Sequence, residues 1–506
     1  MTIRFILNDP QAASSLELNV GPLPDPASGR ATFSYSDVYP EAVYSHNDEP
    51  AFVYWQCREA ALRTLRVWDQ IAGALAVWQN ASQIFPISLD HALGLQAEYN
   101  RTSINFYRWP LTSPGTYVAA SSDAVAHEVG HALLDATRPD LWNSLLPEVA
   151  AFHEGFADCM ALLVSLFDDQ QRADLIAKAA DPKEALNTTP SLGTISESVA
   201  NAYKQFFPST NPNTLARRCN NDFKWVIPTN LPAFAPPGQL SQDPHVFGQI
   251  FAGCFFDLVN SLYKSSLNHD SGGILDAARL AGRLLVGALQ MAPIERRFFQ
   301  AVGRSMIHVD TQMNGAANHL MIKSAFNGHD ILLGSSAMLA PVAPLDGPSP
   351  ELDATDRSSV GLVARTRRSL CDRLGEPSST AIRLDSTDFG NLKVAVAGYR
   401  TSISLDALGK EFKKVSTLVR QQVLLGSSGS QGAVLGHVPV LAETQREVES
   451  MVKCLKEAGS INRISPADCS RIESDQGIRL LPTHSVRKSG NSRRIRRLRF
   501  CCCAHA

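Results

Sequence analysis

Two histidines one helical turn apart, with a glutamate between them, are the residues in this chain best placed to do metal chemistry: His127-Glu128-Val129-Gly130-His131. The surrounding Ala124, Val125, Ala126, Ala132, Leu133 and Leu134 have helix-forming character, so both imidazoles share one helical face and can grip one Zn²⁺. Glu128 then lies beside the open coordination position, where its carboxylate can take a proton from water. A third protein ligand is still required. Glu154 supplies a candidate from the next apolar-periodic segment, Glu148 to Phe167, after a turn around Arg138-Pro139-Asp140. Asp158 lies one turn further on the same face, where it can accept the far N–H of a ligating histidine and fix its tautomer. A lone His-x-x-x-His on a helix is more often a pair without metal; the internal glutamate and the second acidic helix together decide for zinc.

The run HEVGHALLD followed by HEGFAD resembles the thermolysin-like gluzincin metallopeptidases. That resemblance implies His127, His131 and Glu154 as zinc ligands, Glu128 as general base and Asp158 as the carboxylate behind a ligating histidine. Asp123 and Asp135 also fall where the family often carries Asp. His245, in Gln242-Asp243-Pro244-His245-Val246-Phe247-Gly248, stands at an expected helix start. Its spacing after Glu154 is comparable with that of the family's second catalytic histidine, which donates to the tetrahedral oxyanion. Asp243 would orient it, although the family places its orienting Asp further upstream. There are further departures. The gap from His131 to Glu154 is longer than in thermolysin, and no Tyr lies within it, so the family's tyrosine donor has no counterpart; Trp142 cannot replace a phenol. Arg217 and Arg218 stand where a guanidinium could reach a substrate carbonyl, against the plainer reading of a surface pair. By position, Asn105 to Tyr107 would be the edge strand that pairs with substrate in that family, against the plainer reading of an ordinary sheet strand.

The elements that must position these residues are legible in outline. The fold class expected is α+β: a thermolysin-like, two-lobed metallopeptidase with a small C-terminal α/β domain. Residues 1–120 read as a β-rich N-terminal lobe with one long helix, on which Leu62, Leu65, Trp68, Ile71 and Leu75 recur at helical spacing through Trp78. Residues 121–334 read as the helical zinc-binding lobe, with further helices at 274–291, 295–309 and 316–326. The Pro, Ala and Ser of 335–359 read as a linker. Residues 360–484 read as an α/β unit of unknown role, with strands at 380–384, 393–405 and 433–441, helices at 408–424 and 443–458, and a flexible turn at Gly426 to Gly432. Arg487, Lys488, Arg493, Arg494, Arg496, Arg497 and Arg499 precede Cys501-Cys502-Cys503, so 485–506 reads as a disordered basic tail. Its closing Cys503-Ala504-His505-Ala506 only superficially matches a prenylation box, because His505 is not aliphatic.

Composition bounds the function. A net charge of −2 over 506 residues gives no bulk attraction to nucleic acid or anionic membrane, leaving only the tail as a contact of that kind. No signal peptide or stretch of transmembrane length is recognisable, and the ten cysteines lack disulfide-framework spacing, which points to a cytoplasmic protein. Asp168 and Asp169 lack ligand-dense spacing, so calcium is not supported. The expected activity is a zinc metalloendopeptidase acting on peptide or protein substrates. A gluzincin aminopeptidase is an alternative within the enzyme class, disfavoured because no Gly-x-Met-Glu-Asn-like element is present. The rival from another class is a zinc-binding pseudoprotease acting as a binding or scaffold protein.

Overall fold

The computed structural model describes every residue except 13–14, 110–115, 189–191, 207–215, 237, 351–361, 390–391, 463–481, 490–491 and 504–506. The chain folds as a mixture of helices and several sheets. An antiparallel pair opens it, β1 (Ile3–Leu7) with β2 (Leu16–Val20). Then β3 (Thr32–Tyr35), β4 (Ile84–Ser88), β5 (Gln96–Tyr99) and β6 (Ile104–Phe106) assemble in the order β3-β4-β6-β5. β6 is bonded on both sides, parallel to β4 and antiparallel to β5. Asn105 is therefore interior to the sheet and not on an edge. A two-residue pair, β7 (Arg108–Trp109) with β8 (Thr116–Tyr117), follows.

Helix α1 (Pro50–Ala72) starts on a proline, whose missing N–H costs nothing in the first turn. It buries the expected Leu62, Leu65, Trp68 and Ile71. It stops at Gly73, where φ is 86°, so Leu75 and Trp78 lie beyond it. Trp78 instead plugs the sheet, its indole N–H donating to the Thr32 carbonyl at 3.0 Å.

Two helices carry the proposed metal ligands. α2 (Ser122–Thr137) is capped by the Ser121 hydroxyl, which accepts from the Ala124 N–H, and α3 (Pro147–Phe167) starts on Pro147. Every residue of α3 from Pro147 to Leu166 is buried, which makes it the axis of the helical region. α4 (Asp169–Lys178) is capped by Asp168, whose carboxylate accepts from the N–H groups of Gln170 and Gln171 and pairs with Arg63 at 2.5 Å. Asp168 is thus committed as a helix cap. β9 (Thr194–Ile195), α5 (Glu197–Phe206) and β10 (Arg217–Arg218) lead to α6 (Pro244–Ser265), α7 (Ser271–Met291), α8 (Phe298–Asn314) and α9 (His319–Asn327). α6 crosses α3 with backbones in contact: a Cβ added to Gly155 would meet the Gly248 carbonyl oxygen at 2.5 Å, and one on Gly248 the Ala151 carbonyl oxygen at 2.5 Å. Both α3 and α6 are long and apolar enough to cross a membrane by length and composition, contrary to the expectation from the sequence, but they are packed mostly inside protein.

The C-terminal region departs most from expectation. Its sheet runs β11-β15-β14-β18-β17-β16, with β13 on β14 and β12 on β13. Here β11 is Pro341–Pro348, β12 Arg383–Phe389, β13 Leu392–Ser404, β14 Val415–Ser428, β15 Gln431–Leu435, β16 Ile461–Asn462, β17 His484–Ser489 and β18 Ser492–Arg497. The supposed linker therefore contributes a strand, because Ala343 and Leu345 are buried while Pro344 faces out on an edge. The supposed helix 408–424 is largely β14, since Val415, Thr417, Val419, Gln421 and Val423 are buried at period two. Gly429, with φ 63°, makes the hairpin turn from β14 to β15. Helices α10 (Ala364–Leu374) and α11 (Leu441–Glu457) complete the region. The supposed disordered tail forms β17, β18 and a final strand β19 (Phe500–Cys503), which leaves this sheet and adds to β5 of the first. Ala504 to Ala506, with the end of the prenylation-like box, lie outside the described residues.

Candidate metal centre

His127 and His131 project from α2 and Glu154 from α3, and their donor atoms converge. Glu154 Oε2 is 3.4 Å from His127 Nε2 and 3.6 Å from His131 Nε2. Tetrahedral bonds of about 2.0–2.1 Å place neighbouring donors about 3.3 Å apart, so the three atoms have the spacing of one metal's ligand shell. Two of them, His131 Nε2 and Glu154 Oε2, are buried without a hydrogen-bond partner among the described residues, which is costly unless a cation satisfies them. Glu128 is fully buried in the next position, its ligand atom within 4.8 Å of those of both histidines. The donor set, two imidazoles and one carboxylate, suits a divalent ion such as zinc.

The surroundings set the protonation states. His127 Nδ1 lies 2.8 Å from Asp158 Oδ1; a carboxylate only accepts, so the imidazole donates from Nδ1 and its Nε2 lone pair faces the metal position. Burial acts to raise the Asp158 pKa, but Arg217 and His127 outweigh it and hold the group below the usual range. Arg217, expected at the surface, is buried on β10 with Nη2 3.2 Å from Asp158 Oδ1. Asp158→Asn keeps an acceptor but removes the charge shared by His127 and Arg217. It should weaken metal affinity by about 10- to 100-fold, measured by competition with a chromophoric chelator.

His131 leans the other way. Its Nδ1 is 2.8 Å from Nδ1 of His153, so with its Nε2 turned to the metal position it donates to His153. Burial, reinforced by His127 and His245 and opposed by Glu154, pushes the His131 pKa down to about 4, which keeps the ring neutral, as a ligand must be. Burial alone would raise the Glu154 pKa, yet the charge of His245 holds this carboxylate well below its ordinary range.

His245, in the first turn of α6, comes to the same site: its Nε2 is 3.5 Å from Glu154 Oε1. Its Nδ1 is 2.8 Å from Asp243 Oδ1, the very residue named as its orienter, and its Nε2 contacts the carbonyl oxygen of Cys501. Both partners are acceptors, so both ring nitrogens donate and the ring is an imidazolium. Burial favours the neutral form, but Glu154 and Asp243 overcome it and raise the pKa to about 10.

Several residues at the site gave no sequence signal as such. His153 immediately precedes Glu154, and Phe500, Cys501 and Arg497 come from the segment expected to be a disordered tail. The Phe500 ring stacks on His153 at 3.8 Å between centroids and on His131 at 4.9 Å, each tilted by 20°, and meets Trp142 edge-on at 5.3 Å. Trp142 therefore walls the site. Asp135, on α2, accepts from the Tyr99 hydroxyl and from Arg101 at 2.8 Å each, tying β5 to that helix. Asp123 meets Asp9 and Glu197 in a second, acidic cluster, in which burial raises the pKa of Asp123 to about 7 and of Glu197 to about 9. His308 and His319 sit apart, His308 edge-on to Phe389 and His319 against the Ile307 carbonyl.

Comparison with protein-family models finds none that matches this chain, and comparison with curated proteins likewise finds no match.

Proposed function

We propose that the chain is a zinc-dependent metalloendopeptidase of thermolysin-like organisation, and that its substrates are peptides or proteins. The observation that carries this reading is the convergence of His127 Nε2, His131 Nε2 and Glu154 Oε2, with Glu128 alongside and His245 opposite. A structural metal site needs no adjacent base and tends to close its shell with protein ligands.

Zinc held by His127, His131 and Glu154 would supply Lewis acidity, polarising a carbonyl and lowering the pKa of water toward about 7. The remaining work belongs to the chain's own groups. Glu128 removes a proton from the attacking water as its oxygen bonds to the carbonyl carbon. It then delivers that proton to the departing amine nitrogen as the C–N bond breaks. His245, an imidazolium held by Asp243, donates Nε2–H to the oxygen on which negative charge grows. Asp158 keeps the His127 tautomer, and His153 orients His131.

A zinc-binding pseudoprotease is the second reading, favoured by the complete burial of Glu128, His127 and His131. Cys57, Cys159, Cys219, Cys254, Cys371, Cys454 and Cys501 are free thiols, which fits the cytoplasmic reading. The deciding experiment measures metal per chain and digests a mixed peptide library before and after chelation. About one zinc per chain, with cleavage lost on chelation and restored by zinc, is the expected result. One zinc per chain with no cleavage, including by variants with an opened groove, would favour the pseudoprotease.

A further inference from the structure

In the proposed enzyme the outer side of β5 would be the edge on which a peptide docks, and that edge is filled. β19 pairs with β5 antiparallel, Phe500 opposite Tyr99, Cys501 opposite Glu98, Cys502 opposite Ala97 and Cys503 opposite Gln96. Strand addition of this kind is how an extended peptide docks on a sheet edge, through main-chain hydrogen bonds with side chains in alternate pockets. We infer that β19 is the chain's own substrate-like occupant of that groove, so that the intact protein holds its site shut. The inference rests on the peptidase reading for what the groove would otherwise bind.

Three observations carry it beyond simple proximity. The carbonyl that His245 Nε2 contacts is that of Cys501, so the group assigned to bind a scissile carbonyl already holds one from the chain itself. The Phe500 ring lies flat over His131 and His153, covering a proposed ligand and its orienting partner. The space left between Glu154, His245, Phe500 and Cys501 is a cavity of about 20 Å³, room for about one water and not for a peptide.

The strand is also seated by specific contacts. Arg497 places its guanidinium 4.0 Å from the Phe500 ring centroid while Nε donates to the Trp142 carbonyl at 3.0 Å. Arg499 pairs with the buried carboxylate of Glu98 on β5. These seats describe the groove's complement: an extended peptide with a basic residue against Glu98, then an aromatic one over His153.

An occupant tethered in the same chain acts at an effective concentration on the order of 1 mM. If its strand-to-groove affinity is about 10–100 µM, it lowers access about 10- to 100-fold. The test uses the full chain loaded with zinc, as parent, Phe500→Ser and Arg499→Glu. Three readouts are taken: amide hydrogen exchange of Gln96 to Tyr99, the rate of zinc loss to a chelator, and cleavage of a peptide library. Both variants should exchange the β5 amides and lose zinc about 10- to 100-fold faster than the parent, and cleave faster by a similar factor. A reduced synthetic peptide of residues 497–503 should slow the Phe500→Ser variant again, and the same peptide with Ser in place of Phe500 should not. Equal exchange and equal zinc loss in parent and both variants would overturn the inference. Faster exchange and zinc loss with no cleavage by any form would support the cover and overturn the peptidase reading instead.

Discussion

Glu128→Gln is expected to keep about one zinc per chain and to lower peptide turnover by about 10³-fold or more. The substitution is isosteric and leaves His127, His131 and Glu154 untouched, so the converging donors at 3.4 and 3.6 Å stay available to the ion. An amide cannot accept the water's proton, and none of the three histidines can take over. His131 and His127 are committed through Nε2 to the metal position, and His245 already donates from both nitrogens. Glu128 is fully buried, so bulk water has no direct route to replace it. Metal content and peptide hydrolysis measured side by side decide the matter, in the parent sequence and in Phe500→Ser. Undiminished hydrolysis would remove Glu128 from the mechanism. Loss of zinc from Glu128→Gln would make Glu128 itself a ligand, which its place within 4.8 Å of both histidine donors would then explain.

The difference between what the sequence revealed and what it hid follows the range of the interactions. His127, Glu128 and His131 are legible because one helical turn brings them to one face, and Glu154 and Asp158 because a second turn repeats the logic. Asp243 and His245 are legible as a cap and first turn. β19 is not legible, because its partner β5 lies some four hundred residues earlier and strand pairing leaves no local trace of its register. The arginines before it also argued for a solvated coil. In the fold, Arg497 and Arg499 are instead absorbed by the Trp142 carbonyl, the Phe500 ring and the Glu98 carboxylate. Arg217 was hidden for a related reason: nothing near it in sequence announces that Asp158 lies 3.2 Å away. β14 stands where a helix is expected because its apolar residues also satisfy a helical pattern over a short window, and only the sheet selects the period of two. The C-terminal region is likewise tied to α3 by a contact invisible beforehand. Arg297 bridges Glu148, in the first turn of α3, at 3.0 Å and Glu447 of α11 at 2.6 Å.

Gly155→Ala should destabilise the protein by about 3 kcal/mol or more, at the upper end for an overpacked core, and should weaken zinc binding at the same time. The added methyl would stand 2.5 Å from the Gly248 carbonyl oxygen and 3.2 Å from Phe251 Cβ, so relief requires α3 and α6 to separate rather than one side chain to turn. These two helices carry Glu154, the residue immediately before Gly155, and His245, one turn before Gly248. Their separation therefore lengthens the 3.5 Å contact between Glu154 Oε1 and His245 Nε2 and turns Oε2 away from the two histidines on α2. Gly248→Ala attacks the same crossing from the other side, against the Ala151 carbonyl oxygen, and should have an effect of the same sign. Gly21→Ala is the control, since a methyl there meets nothing within 4 Å and should change the stability by less than about 1 kcal/mol. Denaturant unfolding of the zinc-loaded proteins gives the stabilities, and chelator competition gives the affinities. If Gly155→Ala unfolds like the parent and holds zinc as tightly, the close crossing of α3 and α6 does not set the geometry of the site. A stability loss with unchanged zinc affinity would mean that α2 and α3 hold the ligands together without help from α6.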